Sequence, residues 1–161
     1  MELSAVIVSY NVCELLRGAL QSLMAAAKAT EHEIIVVDNN SSDGSPGMVS
    51  QEFPSVKLIV SDSNEGFASA CNRGIQASSG EYVLILNPDT VTSPDAITRA
   101  LDFMKTHPDA GAAGAHMTDG NGKFLPESKR GFPSPLTALF RFTGLCRLFP
   151  SSALFNAYYL G

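Results

Sequence analysis

Four short apolar runs, each closed by a polar cluster and followed by a stretch of helical spacing, set the plan of the chain. Ser4-Ala-Val-Ile-Val-Ser9 predicts a buried strand that ends at Tyr10-Asn11. Val12, Leu15, Leu16, Ala19, Leu20, Leu23 and Met24 then recur at helical spacing, so an amphipathic helix is predicted as far as Lys28. Glu33-Ile-Ile-Val-Val-Asp38 gives the next strand, and Asn39-Asn-Ser-Ser-Asp-Gly-Ser45 a polar loop rich in turn formers. Ser45-Pro46 predicts the cap and first residue of a short helix to Phe53. Val56 to Val60 is a third strand, and Phe67 to Ser79 a small-residue helix with Gly80 as its closing residue. Tyr82-Val-Leu-Ile-Leu86 is a fourth strand, stopped at Asn87-Pro88-Asp89 because proline cannot donate to a ladder. Ser93-Pro94 opens a helix that Pro108 ends; Ala110 to Ala115 reads as a further strand of small residues, and Asp119-Gly-Asn-Gly122 as a turn. Strands alternating with helices predict an α/β three-layer architecture with a mainly parallel sheet.

Composition narrows what such a fold serves. With 161 residues, 45% hydrophobic, the chain can bury one sizeable core. A formal charge of -5 argues against a nucleic-acid partner, since phosphate contacts need clustered Lys and Arg. Residues 1–127 hold seven Lys/Arg against sixteen Asp/Glu, whereas residues 128–161 hold four Lys/Arg and no acid. That tail carries a heavy apolar load, including Leu136, Leu139, Phe140, Leu145, Leu148, Phe149, Leu154, Phe155 and Tyr158, with Arg141 and Arg147 interleaved. It reads first as a segment that packs on a later part of the chain, and second as an interfacial membrane helix. Cys13, Cys71 and Cys146 are odd in number and widely spaced, which points to unpaired thiols in a reducing compartment. With no signal-peptide pattern and no run of spanning length, a cytoplasmic location is expected, at the inner face of the membrane if the tail binds lipid.

The chemistry gathers at strand ends. Tyr10-Asn11, Asp38-Asn39-Asn40 and Asn87-Pro88-Asp89 each follow a strand, and a parallel sheet brings its carboxyl ends to one rim, where open α/β sheets bind ligands. Asp38 and Asp89 can therefore share a crevice. Ser93-Pro94 supplies the helix cap nearby, which leaves Asp89 free for a ligand. A divalent ion with a nucleotide-like ligand suits such a site, because magnesium and manganese take few protein carboxylates together with water and phosphate. No G-x-G-x-x-G follows the first strand, and no Walker loop, Ser-His-Asp order or nucleophile elbow occurs. His32, His107 and His116 sit near element ends as ordinary boundary residues.

Taken together, Ala5-Val-Ile-Val-Ser-Tyr-Asn11, Ile35-Val-Val-Asp-Asn-Asn-Ser-Ser-Asp-Gly-Ser45, Asn64-Glu-Gly-Phe-Ala68 with Asn72-Arg-Gly74, Gly80 to Thr90, and Gly131-Phe-Pro133 resemble the family 2 nucleotide-sugar glycosyltransferases of GT-A (Rossmann-like) fold. The Asn-Pro-Asp form is similar to the rhamnosyltransferase-like branch. The resemblance implies donor-binding roles for Tyr10 at the base, Asp38 at the pyrimidine edge, and Asn64, Gly66, Asn72 and Asn87 around the pocket, with Asp89 as metal-binding carboxylate for magnesium or manganese. It implies an inverting transfer from a nucleoside-diphosphate sugar, with dTDP-rhamnose favoured, to a saccharide or lipid-linked acceptor in cell-wall or polysaccharide biosynthesis.

Two departures qualify that expectation. Asn87 stands where the family has the first acid of Asp-x-Asp and adds no charge for a metal. The family's general base is an acceptor-side Asp; after Asp109 only Asp119 and Glu127 are acidic, so the base is expected beyond Gly161. Residues 1–127 are thus read as a donor-binding half, and residues 128–161 as a segment leading into an acceptor half absent from this chain, which would leave it inactive alone. The alternatives are a non-catalytic nucleotide-binding or assembly module, a sugar-phosphate nucleotidyltransferase, and a homo-oligomer joined through the apolar tail.

Overall fold

The computed structural model describes residues 1–125, 134–149, 152, 154 and 155. Two compact units divide the chain, Met1–His107 and Pro108–Gly161. The first contains β1 (Leu3–Ser9), α1 (Cys13–Ala26), β2 (His32–Asp38), α2 (Ser45–Glu52), β3 (Lys57–Val60), α3 (Phe67–Gln76), β4 (Tyr82–Leu86) and α4 (Ala96–Thr106). Its four strands form one sheet in the order β3-β2-β1-β4, parallel at every pairing. In register, Ser9 lies beside Asp38 and Ile7 beside Leu86. The chain winds outward from β1 to β3 and then crosses back, so the direction of winding reverses between β1 and β4.

Alternate residues of the strands feed two cores, as the pleat requires. One face of Leu3, Ala5, Ile7, Ile34 and Val36 packs with Leu16, Leu20 and Leu23 of α1, Met48 and Val49 of α2, and Ile97 and Leu101 of α4. The other face, Val6, Val8, Ile35 and Val37, packs with Ala70 and Cys71 of α3. Small residues let α3 come close. A Cβ at Gly74 would clash with the Val6 Cγ1 atom. Burial pushes the Cys71 thiol up, in keeping with packing rather than nucleophilic chemistry. Because α3 covers β1 and β2, Val83 and Ile85 on the same face of the edge strand β4 stay exposed.

Opposite the rim of strand carboxyl ends, a polar clamp closes the amino-terminal edge. Glu33 accepts hydrogen bonds from the Ser4 hydroxyl and from both the amide and hydroxyl of Ser79, all at 2.7 Å. Gly80 donates its amide to the Ser4 hydroxyl at 2.8 Å. Burial pushes the Glu33 carboxyl up, but the Ser4 and Ser79 hydrogen bonds, with Lys57 nearby, hold it below its ordinary range.

The sequence expectations fail at several boundaries. Gly80 does not close α3, whose C-cap is Ala77; it is a close-approach glycine, where a Cβ would lie 2.5 Å from the Ser4 amide nitrogen. Ser45 is the first residue of α2 and not its cap, since Gly44, at φ 88°, occupies that place. Ser93 does not cap α4, which starts at Ala96 after Asp95; its hydroxyl donates to Asp95 instead. Ala110 to Ala115 forms no strand, because its small residues offer little to bury and its glycines favour other conformations.

The second unit holds the predicted turn, with Gly122 at φ 79° and Asp119 accepting from the Asn121 and Lys123 amides. It also contains α5 (Pro135–Phe142) and α6 (Leu145–Leu148). A capping box of Ser134 and Thr137 starts α5. Phe140 and Phe149 both pack on Phe155, while Leu136, Leu139 and Phe142 are exposed. Glu127, Gly131-Phe-Pro133 and Tyr158, and the 127/128 boundary, lie outside the described residues. Among the described residues no helix is long and apolar enough to cross a membrane.

Candidate functional site

The winding reverses between β1 and β4, the kind of place where open α/β sheets bind ligands at their strand carboxyl ends, and there β2, β1 and β4 deliver Asp38, Tyr10 and Asn87-Pro88-Asp89. Asp38 ends β2 and Asp89 follows β4, the two strands that flank β1. Asp38 is 1% exposed, and its Oδ2 accepts the Ser41 amide at 2.8 Å. Its Oδ1 is buried with no hydrogen-bond partner. The hydroxyl of Ser9, its register neighbour, is likewise buried and unpartnered. Orphaned buried polar atoms cost about 1–3 kcal/mol each, so two side by side on neighbouring strands mark a place where stability has been given up. Tyr10 stands half exposed beside them.

The loops after β1 and β2 are stapled together. Asn11 and Asn40 both take left-handed backbone (φ 54° and 69°), a conformation asparagine tolerates better than most residues. The Asn11 amide donates to the Ser41 hydroxyl, and its side-chain oxygen accepts the Ser42 amide at 2.8 Å. Asp43 joins two helix starts: Oδ2 accepts the Cys13 amide of α1, and Oδ1 the Ser45 amide and hydroxyl of α2. The Ser45 hydroxyl, with the Cys13 and Ser45 amides, holds this carboxyl below its ordinary range against a smaller desolvation push.

On the β3 side, the loop from Ser61 to Gly66 carries Asn64 and Gly66 to the rim. Asn39, 3% exposed, donates its side-chain nitrogen to Asn64 Oδ1 at 2.7 Å and accepts the Glu65 amide at 3.0 Å. Asn64 Oδ1 also accepts the Gly66 amide. Arg73 reaches back from α3 to the Ser61 hydroxyl at 2.7 Å and pairs with Glu65 at 3.7 Å. Asn72 is exposed on α3, past its first turn.

On the β4 side, Asn87 and Asp89 are exposed, and the Asp89 carboxylate has no hydrogen-bond or ion-pair partner among the described residues. The following loop is pinned to α1 where Thr92 donates its amide to the Ser22 hydroxyl. Among the described residues no group of three or more His, Cys, Asp or Glu could hold a metal ion. A lone free carboxylate fits an ion held chiefly by phosphate and water. Asp119 accepts both of its turn contacts on Oδ1.

The strand carboxyl ends thus carry Asn64 and Gly66 after β3, Asp38 at the end of β2, Tyr10 after β1, and Asn87 and Asp89 after β4, with Asn72 further along α3. Sequence reasoning missed Ser9, which reads as the end of an apolar strand, and gave Asn39 no role of its own within the Asp38-Asn39-Asn40 cluster; the registered pairing of Ser9 with Asp38 and the hydrogen bond from Asn39 to Asn64 reveal them.

A sequence model described as glycosyl transferase family 2 matches residues 4–160. The chain is 33% identical over 139 residues to N-acetylglucosaminyl-diphospho-decaprenol L-rhamnosyltransferase of Mycobacterium tuberculosis, covering 80% of this chain and 45% of that protein. It superposes on S. aureus TarS 1-349 with a TM-score of 0.66 and 26% identity, over 85% of this chain and 40% of that one. The mannosyltransferase PcManGT from Pyrobaculum calidifontis, solved with GDP-Man and Mn2+, shares the fold at a TM-score of 0.59 and 22% identity, over 70% of this chain and 34% of that one. The chain therefore spans less than half the length of these proteins.

Proposed function

The chain belongs to glycosyl transferase family 2, and from that premise we propose that it is the donor-binding half of an inverting GT-A glycosyltransferase. The observation that carries this reading is the buried Asp38 carboxylate with one oxygen unpartnered, next to the unpartnered Ser9 hydroxyl. An acceptor and a hydroxyl left unpartnered at a sheet rim suit the edge of a pyrimidine, whose imide N–H donates to a carboxylate. Both oxygens are closed to solvent, so the base reaches them by an opening of the rim. Tyr10 supplies an exposed aromatic face for the base. Asn64, Gly66, Asn72 and Asn87 line the sugar and phosphate side. Asp89 would hold a magnesium or manganese ion, whose charge offsets that of the departing diphosphate.

The donor favoured is a deoxythymidine-diphosphate sugar such as dTDP-rhamnose, supported by the Asn-Pro-Asp form and by the rhamnosyltransferase relative. A saccharide or lipid-linked acceptor would meet the second half, beginning after residues 1–127. The general base is assigned there too, since the family resemblance implies an acceptor-side Asp.

Calorimetric titration with UDP, dTDP and GDP, each with manganese and with chelator, tests the reading. Metal-dependent binding of a pyrimidine diphosphate, lost in Asp89→Ala, is the expected result. No binding of any of the three by the folded chain would overturn it. The exposed Leu136, Leu139 and Phe142 of α5 favour a second role at an anionic lipid surface, or in self-association. Vesicle flotation that does not depend on these residues would remove the lipid role; sedimentation as a monomer would remove the other.

A further inference from the structure

We propose that Asn39 is a positioning residue: it does not touch the donor but fixes the spacing between the base-reading strand and the loop that brings Asn64 and Gly66 to the pocket. This rests on the donor-binding reading above. Asn39 follows Asp38 directly, and its own amide continues the ladder to the Ser9 carbonyl at 2.8 Å, so its backbone is held as firmly as the strand. Its side chain is almost wholly buried, and both ends of the amide are used.

Chemistry fixes which end faces which partner. The Glu65 N–H can only donate, so Asn39 Oδ1 must face it, and Nδ2 is left for Asn64. The same argument orients Asn64, whose Oδ1 takes the Gly66 N–H along with Asn39 Nδ2. A donor and an acceptor on one short side chain are what this bridge needs. Aspartate can accept but not donate, and alanine can do neither. Arg73 ties the loop from its other side through Ser61 and Glu65.

Amide hydrogen exchange of the whole chain, read residue by residue, together with UDP and dTDP titration in manganese, tests this. Asn39→Ala is expected to speed exchange at both Glu65 and Gly66 and to weaken nucleotide binding about tenfold, the scale of losing two hydrogen bonds. Asn39→Asp keeps the acceptor for Glu65 but sets an acceptor against Asn64 Oδ1. Exchange should then rise at Gly66 alone, with part of the affinity retained. A merely structural Asn39 would lower protection across β2 and α3 together and leave the affinity of the folded fraction unchanged, and that result overturns the proposal. So does unchanged exchange at both amides in the folded Asn39→Ala chain. Failure of the unaltered chain to bind any nucleotide is a separate outcome: it overturns the donor reading and, with it, the role of Asn39 in the pocket.

Discussion

At the scale of single residues, the two carboxylates of the β2 loop have opposite relations to stability. Asp38 keeps a buried oxygen without a partner, so Asp38→Asn, which removes the charge and keeps an acceptor for Ser41, should leave the urea midpoint unchanged or raised while pyrimidine-diphosphate binding falls. Asp43 has every contact it needs. Replacing it with alanine unties the starts of α1 and α2 and should cost about 1–2 kcal/mol by denaturant titration, toward the low end because the carboxylate is solvent-screened. Its carboxyl is held down in the folded state, so the charge-dependent part of this stability is present at neutral pH and is lost as pH falls below the ordinary aspartate range. Asp43→Asn, an acceptor without charge, should flatten that acid limb. Asp38 was legible in the sequence because a carboxylate after an apolar run is conspicuous. Asp43 was not, since a loop of Asn, Ser, Asp and Gly offers many turn formers, and only the meeting of two helix starts selects one of them.

At the scale of elements, strands and helices were legible wherever burial repeats, as in the runs of β1, β2 and β4 and the leucines of α1. Their ends were not, because caps are settled by competition among neighbouring polar groups. Ser45 and Ser93 each sit before or beside proline and read as caps, yet each donates its hydroxyl to a nearby aspartate instead. Gly80 misled in a related way. Gly74 and Gly80 are neither turns nor caps; they are points where α3 and the start of β4 press against β1. Gly74→Ala should therefore cost about 1–3 kcal/mol, despite alanine's better helix propensity, and thermal unfolding would register it. At the amino-terminal clamp, Glu33→Gln should abolish one acid-sensitive component of stability. The folded-state carboxyl is lowered, so the wild-type advantage exists above the ordinary glutamate range and fades below it.

At the scale of the whole molecule, both buried clusters draw, among the described residues, only on those before His107. A chain ending at His107 should retain cooperative unfolding and the far-UV signature of the sheet; loss of either would mean that the later residues complete the core. The α/β plan was readable from alternation alone, whereas the position of β4 beside β1 was not, since no pattern in an apolar run names its neighbour. That position also sets an order of assembly. Ser4 meets Glu33 across 29 residues but Gly80 across 76, and the longer closure costs about 1 kcal/mol more in chain entropy. Docking of β4 after β1, β2 and β3 is therefore the expected order of folding, and pulse-labelled hydrogen exchange that protects β4 amides as early as those of β2 would overturn it. During that interval a nascent chain has Asp38 in its final setting and Asp89 still adrift, so one half of the rim comes into being before the other.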